Sequence, residues 1–336
     1  MCLRKPLKRS SIAPSNIRKK PIGWMLTENF PNQKNIQIMK PALEFLIKDE
    51  KVYSGALSCR GCGWSLLVRH LASILGEDTV YVAPASCFSI ISGPYPLQEL
   101  KANLVHTVFA AAPATATGVR AALDRQGKKD TTVVILAGDG GTFDIGLQAL
   151  SGAAARNENI LYIVNNNGAY MNTGIQSSTA TPYGAVTTTN PGAGFKRVWP
   201  KDLMGIIAAH NLPYAATASL AFLDDLRKKV EKAKHTQGFR LLMIDGPCPP
   251  GHKTDPAMSI HIGRLAVETR LFPLFEIERQ HYTINYRPVK NIPVEECMKH
   301  QGRFKQLFQP ENRHMIEEVQ AHTDQYWLRL EMLEGM

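Results

Sequence analysis

Five consecutive residues carry the most chemistry in this 336-residue chain: Gly138-Asp139-Gly140-Gly141-Thr142. They follow an apolar β-branched run, Thr131–Ala137 (TTVVILA), and precede a helix-like stretch, Phe143–Arg156. Glycines at a strand-to-helix turn let backbone approach a ligand, and the free N–H groups opening the helix suit phosphate. Asp139 adds a hard oxygen for Mg²⁺. The next apolar run, from Ile160, closes on Asn165-Asn166-Asn167. Adjacent parallel strands lie about 4.8 Å apart, so consecutive strand ends can surround one ion. Mg²⁺ takes six oxygens, commonly a carboxylate, neutral carbonyls, phosphate oxygens and water. The tripeptide Gly-Asp-Gly alone reads equally as a tight turn with Asp139 capping a helix; the Asn-rich end of the following strand makes the pattern specific.

The second set is cysteine. Cys59-Arg60-Gly61-Cys62 opens a helical stretch, Cys87 closes the first strand, and Cys248 follows the strand Phe239–Asp245. A lone C-x2-C fits zinc, dithiol redox chemistry or an iron–sulfur cluster equally well, and Cys87 or Cys248 taken singly reads as a small core residue. In a parallel sheet, however, C-terminal strand ends share the edge where ligands bind, so four thiols and the Asp139 turn meet there. Cys2 and Cys297 read as free thiols.

The elements that position these residues alternate. Strands are expected at Thr79–Ala83, Thr131–Ala137, Ile160–Asn165 and Phe239–Asp245, and helices at Trp64–Leu75, Thr107–Leu123, Phe143–Arg156, Lys201–Asn211 and Ala221–Lys234. That order predicts an α/β fold, a doubly wound and mostly parallel sheet. Residues 168–200, rich in Thr, Gly, Pro and Asn, form a long loop of the kind that carries function. Residues 41–261 are expected to form the α/β domain and 262–336 an irregular C-terminal arm with a terminal helix, packed on the core or a partner subunit.

Charge excludes a basic body. Of the net +10, residues 1–40 supply +8 (nine Lys/Arg against Glu28) and the remainder only +2. The first forty residues are expected to be a disordered tail, and no nucleic-acid partner is expected. No run reaches the roughly 18–20 apolar residues of a membrane helix. Cysteine usage and the lack of a secretory apolar region place the chain in a reducing cytoplasm.

The Asp139 and Asn167 pair resembles the GDG…NN pattern of thiamine-diphosphate enzymes. More specifically, GDGGTFDIGLQALSGAAARN followed by NNNGAYMNTGIQSSTATPYGA resembles the β subunit of pyruvate:ferredoxin oxidoreductases. CRGCG at Cys59, SC at Ser86–Cys87, DGPCPPG at Cys248, IGRLAVET at Ile262–Thr269 and HQGRFKQLF at His300–Phe308 extend the likeness, in order, over about Val52 to Phe308. The resemblance implies Mg²⁺ held by Asp139, Asn167 and the Ala169 carbonyl, with Gly138, Gly140, Gly141, Thr142, Ser86, Cys87, Asn172 and Thr173 around thiamine diphosphate and Asn172 nearest the chemistry. It makes Cys59, Cys62, Cys87 and Cys248 the ligands of one [4Fe–4S] cluster, since the chemistry needs an electron acceptor. It implies oxidative decarboxylation of a 2-oxo acid, with electrons passing singly to that cluster and on to external ferredoxin, and coenzyme A taking the acyl group from pyruvate. It also implies an α subunit completing the thiamine site, including the carboxylate that serves the aminopyrimidine, and a ferredoxin-like cluster subunit.

The chain departs from the family at Gly168, where an acid is usual, and at Ala110 and Ala111, where an acid–amide pair is usual. Ala85-Ser86-Cys87 replaces TGC, and His252-Lys253 end the Cys248 motif. Less negative surroundings suit a more anionic substrate, so oxalate stands beside pyruvate. A non-redox thiamine decarboxylase or synthase is the alternative of another class.

Overall fold

A computed structural model describes residues 51–53 and 57–336. The basic segment 1–40 lies outside the described residues.

The apolar runs become strands because β-branched residues fit a pleated surface buried on both faces. Among the described residues the strands are β1 (Thr79–Pro84), β2 (Asn103–Thr107), β3 (Thr132–Gly138), β4 (Leu161–Asn166), β5 (Tyr214–Ser219), β6 (Arg240–Asp245), β7 (Phe275–Glu278) and β8 (His281–Ile284), in sheet order β2-β1-β3-β4-β6-β5-β7-β8. The first six run parallel; β7 and β8 add antiparallel at one edge. Val133 and Ile135 of β3 face one apolar layer, and Val134 and Leu136 face the other. Each such fully buried side chain contributes roughly 1.5–3 kcal/mol of burial free energy.

Four strands escape the sequence reading: β2, β5 and the edge pair β7 and β8. β2 occupies the start of the expected helix at Thr107, which instead runs Ala112–Arg125; its pattern of exposed and half-buried residues is that of an edge strand. β5 (YAATAS) is fully buried yet Ala-rich, which hides it from a β-propensity reading. The arm is also more ordered than expected. After the helix Ser259–Glu268 it supplies β7 and β8, and the terminal helix His314–Glu334 packs on the sheet through Trp327 and Leu330. The region 262–336 is therefore partly an extension of the sheet.

Chain order reverses about β1: β2 lies on one side and β3 on the other. A crevice opens at such a switch point beyond the carboxyl ends of the strands.

Candidate functional site

The register sets the two halves of the site side by side. Gly138 pairs with Asn165 across β3 and β4, so Asp139 and Asn167 emerge just beyond neighbouring strand ends. Helical backbone begins at Asp139, passes through a π-turn at Gly141–Ile145 and continues as the helix Leu147–Ala155. Gly140 is required here, because a Cβ would lie 2.5 Å from the ring of Tyr170.

Three oxygens converge. Asn167 Oδ1 lies 2.9 Å from Asp139 Oδ1 and 3.0 Å from the Ala169 carbonyl oxygen. With no cation the amide would turn its NH₂ toward these acceptors. With one, the separation is that of neighbouring ligands in an octahedron with Mg–O distances of 2.0–2.1 Å, about 2.9 Å. Asp139 is 1% exposed, and burial first of all lifts its carboxyl to about 7, against the hydrogen bonds from Ser178 and the Asn167 N–H. A buried carboxylate facing two further oxygens calls for a cation.

Beside these oxygens lies a cavity of about 120 Å³ walled by residues that follow β1, β3 and β4, among them Ser86, Cys87, Gly138–Gly141, Ala169 and Thr173. The Ser86 hydroxyl and the Trp64 indole N–H, both in residues of this wall, are buried without hydrogen-bond partners. Unsatisfied polar groups, close-approach glycines and an oxygen triad suit a bound diphosphate and its metal. Asn172 and Thr173 stand exposed at the mouth; the Thr173 hydroxyl is bonded to Gln176 at 2.6 Å. Thr142 faces inward instead, bonding Gly138 O at 2.8 Å and Tyr162 at 3.1 Å, so its side chain supports the turn.

Four cysteines gather at the same edge. Cys62 caps the helix Gly63–Leu75, Cys87 opens the helix Cys87–Ile91, and Cys248 opens the turn Pro249–His252. The Cys59–Cys62 loop docks on the Cys248 segment: Gly63 N donates to Pro247 O at 3.1 Å and Ser259 Oγ to Gly61 O at 2.8 Å. Gly61, at φ +71°, admits no Cβ against Pro256 O. Burial, reinforced by neighbouring Cys248, Cys62 and Cys59, raises the Cys87 thiol to about 12. Burial likewise raises Cys248 to about 11, and Cys62 upward. Cys62, Cys87 and Cys248 are partly buried at this edge, and Cys59 is exposed beside them. Among the described residues, no three His, Cys, Asp or Glu side chains close on a single point as a mononuclear metal requires. Cys297 lies apart from this group, buried against Gln301.

Sequence reading missed Ser178, Tyr170 and Trp64. Ser178 lies in the 168–200 loop flagged as functional, but nothing in the sequence says which of its many hydroxyl residues turns inward. Its Oγ donates to Asp139 Oδ2 at 2.6 Å. Tyr170 donates to Gly140 O at 3.0 Å and Asp144 Oδ2 at 2.8 Å.

Fold and site together define a thiamine-diphosphate enzyme. Residues 85–244 match the family "Thiamine pyrophosphate enzyme, C-terminal TPP binding domain". The chain is 45% identical over 282 residues to pyruvate synthase subunit PorB of Methanothermobacter thermautotrophicus, covering 83% of this chain and 95% of that one. It is 43% identical over 295 residues to ketoisovalerate oxidoreductase subunit VorB of Pyrococcus furiosus, covering 85% and 94%. A solved 2-oxoglutarate:ferredoxin oxidoreductase from Magnetococcus marinus shares the fold, with TM-score 0.53 and 23% identity over 65% of this chain and 79% of that one. The chain belongs to the family of thiamine-diphosphate-binding subunits of 2-oxoacid:ferredoxin oxidoreductases.

Proposed function

We propose that this subunit binds Mg²⁺–thiamine diphosphate and one [4Fe–4S] cluster and takes part in oxidative decarboxylation of a monoanionic 2-oxo acid, pyruvate or a branched analogue. The observation that carries this is the triad of Asp139, Asn167 and Ala169 oxygens at octahedral spacing beside a phosphate-sized cavity. Thiamine diphosphate supplies a carbanion-stabilising centre for loss of CO₂, and an iron–sulfur cluster accepts electrons one at a time.

The protein's part is positional. Asp139 neutralises and orients the metal, and Ser178 fixes the carboxylate. The backbone from Gly138 to Gly141 approaches the diphosphate closely, and the Ser86 hydroxyl and Trp64 N–H give the wall its donors. Asn172 and Thr173, exposed at the mouth, face the side from which substrate arrives. Cys59, Cys62, Cys87 and Cys248 hold the cluster.

Completion of the site falls to partner chains. Ile90 on the cavity wall, Val108 beside Phe109, and Ile145 in the turn after Gly141 are 55%, 69% and 61% exposed. These apolar groups suit the face of an α subunit; a cluster-bearing subunit, ferredoxin and coenzyme A complete the route for electrons and acyl group. No helix among the described residues is long and apolar enough to cross a membrane.

For substrate, the relatives named above are pyruvate and ketoisovalerate enzymes, and nothing among them favours oxalate. Gly168, at φ +76°, has its Cβ position 3.1 Å from both Arg303 Nη1 and Pro182 Cδ, so backbone conformation and crowding favour glycine there whatever the substrate charge. The test is anaerobic EPR on the co-expressed complex. Pyruvate or 3-methyl-2-oxobutanoate, with coenzyme A, is expected to reduce the cluster, and a Cys248→Ala variant to abolish that signal. A signal with oxalate alone would reverse the substrate assignment, and none even with dithionite would leave a non-redox thiamine enzyme.

A further inference from the structure

The Asn167 peptide is gripped from behind. Its side-chain oxygen faces Asp139 and Ala169, while its backbone carbonyl points the other way, toward a second cavity of about 360 Å³ walled by Asp245, His252, Cys297 and Arg303 among others. His252 Nε2 lies 2.9 Å from that carbonyl. A carbonyl only accepts, so Nε2 carries the hydrogen and the ring donates. Arg303 Nη1 donates to the same oxygen at 3.4 Å, and its Nε is tied to Gln301 Oε1 at 2.9 Å. His252 is 5% and Arg303 9% exposed.

Two donors on the carbonyl, together with the Gly168 N–H donating to Asn166 Oδ1 at 3.2 Å, fix the rotation of this peptide. The next residue, Gly168, takes φ +76°, a conformation that frees the chain rather than restrains it. The donors come from outside the sheet. His252 ends the turn that begins at Cys248, and its N–H donates to Cys248 O at 2.8 Å. Arg303 belongs to the C-terminal arm, which is anchored nearby by Val186 N to Arg303 O at 2.9 Å. A single turn thus ties the cysteine edge to the oxygen triad, and the arm braces it.

We propose that His252 and Arg303 are positioning residues for the metal site, setting the Asn167 peptide and so placing its side chain beside Asp139 Oδ1 and the Ala169 carbonyl. The inference rests on the thiamine–magnesium reading above. It gives the C-terminal arm a part in cofactor binding beyond packing, and makes Mg²⁺ affinity depend on residues that touch neither metal nor cofactor.

The experiment measures Mg²⁺-dependent binding of thiamine diphosphate to the co-expressed complex by quenching of tryptophan fluorescence, in His252→Leu, His252→Gln, Arg303→Lys and Asp139→Asn variants. Loss of an outer-shell partner costs about 10–100-fold in metal affinity, so His252→Leu is expected to raise the half-saturating Mg²⁺ concentration by about that factor. His252→Gln, which keeps a donor, is expected to recover most of it. Arg303→Lys, which cannot bridge Gln301 and Asn167 together, is expected to shift it in the same direction as His252→Leu, and decides the matter if the leucine variant does not fold. Unchanged Mg²⁺ dependence in the folded variants, with Asp139→Asn having lost it, overturns this inference alone. Retention in Asp139→Asn overturns the metal reading itself.

Discussion

Ser178 Oγ donates a 2.6 Å hydrogen bond to Asp139 Oδ2, leaving Oδ1 to face Asn167 and Ala169. Ser178 thus holds one carboxylate oxygen, while the other accepts from the Asn167 N–H at 3.3 Å and is the one turned toward the proposed metal position. Hydrogen bonds to buried charged groups contribute about 1.5–3 kcal/mol. Ser178→Ala is therefore expected to weaken Mg²⁺-dependent thiamine diphosphate binding by roughly 10–100-fold, measured by calorimetric titration. Affinity equal to the parent's would show that Ser178 does not orient the carboxylate.

The cysteine assignment separates two cofactors. Cys87→Ala or Cys248→Ala in anaerobically prepared complex is expected to lose cluster iron and the visible absorption that accompanies it. Thiamine diphosphate binding should survive in Cys248→Ala, whose residue is absent from the cavity wall that Cys87 joins. Full iron content in both variants would remove these residues from the ligand set.

His70 offers a pH test away from the site. It is 0% exposed, neither ring nitrogen has a partner, and burial, then the charge of Arg227, lowers it to about 4. The unfolded chain keeps about 6.5 and binds the proton first, so this residue makes stability rise with pH between about 4 and 6.5. Below that window its cost reaches about 3 kcal/mol. His70→Leu is expected to flatten this part of the pH profile in urea denaturation between pH 5 and 7. An acid limb as steep as the parent's would show that His70 has an unseen partner.

Gly140 and Gly118 should behave oppositely on substitution by alanine. A Cβ at Gly140 meets the Tyr170 ring at 2.5 Å, whereas at Gly118, in the helix Ala112–Arg125, nothing lies within 4 Å. Gly140→Ala is expected to cost about 1–3 kcal/mol by overpacking and to weaken cofactor binding by moving Tyr170. Gly118→Ala should stabilise by about 0.5–1 kcal/mol. Thermal melts of the two variants give the comparison, and a neutral Gly140→Ala would mean that the ring yields freely.

By itself the sequence determined the strand–turn–helix at Gly138–Thr142, the Asn-rich end of β4 and the cysteine motifs. Local chemistry writes these: β-branched runs, glycines where backbone must approach a ligand, and residue types fit to bind metal. The main strands, β1, β3, β4 and β6, were legible within a residue or so, because burial on both faces demands unbroken apolar runs. Tertiary structure decided the rest. β5 and β2 carry too little β signal, one Ala-rich and the other at an edge, and only pairing with β6 and β1 makes them strands. Ser178, His252 and Arg303 gain their roles from contacts 39, 85 and 136 residues distant along the chain. No spacing rule reaches that far, because such partners are chosen by how the loop and the arm close over the sheet edge.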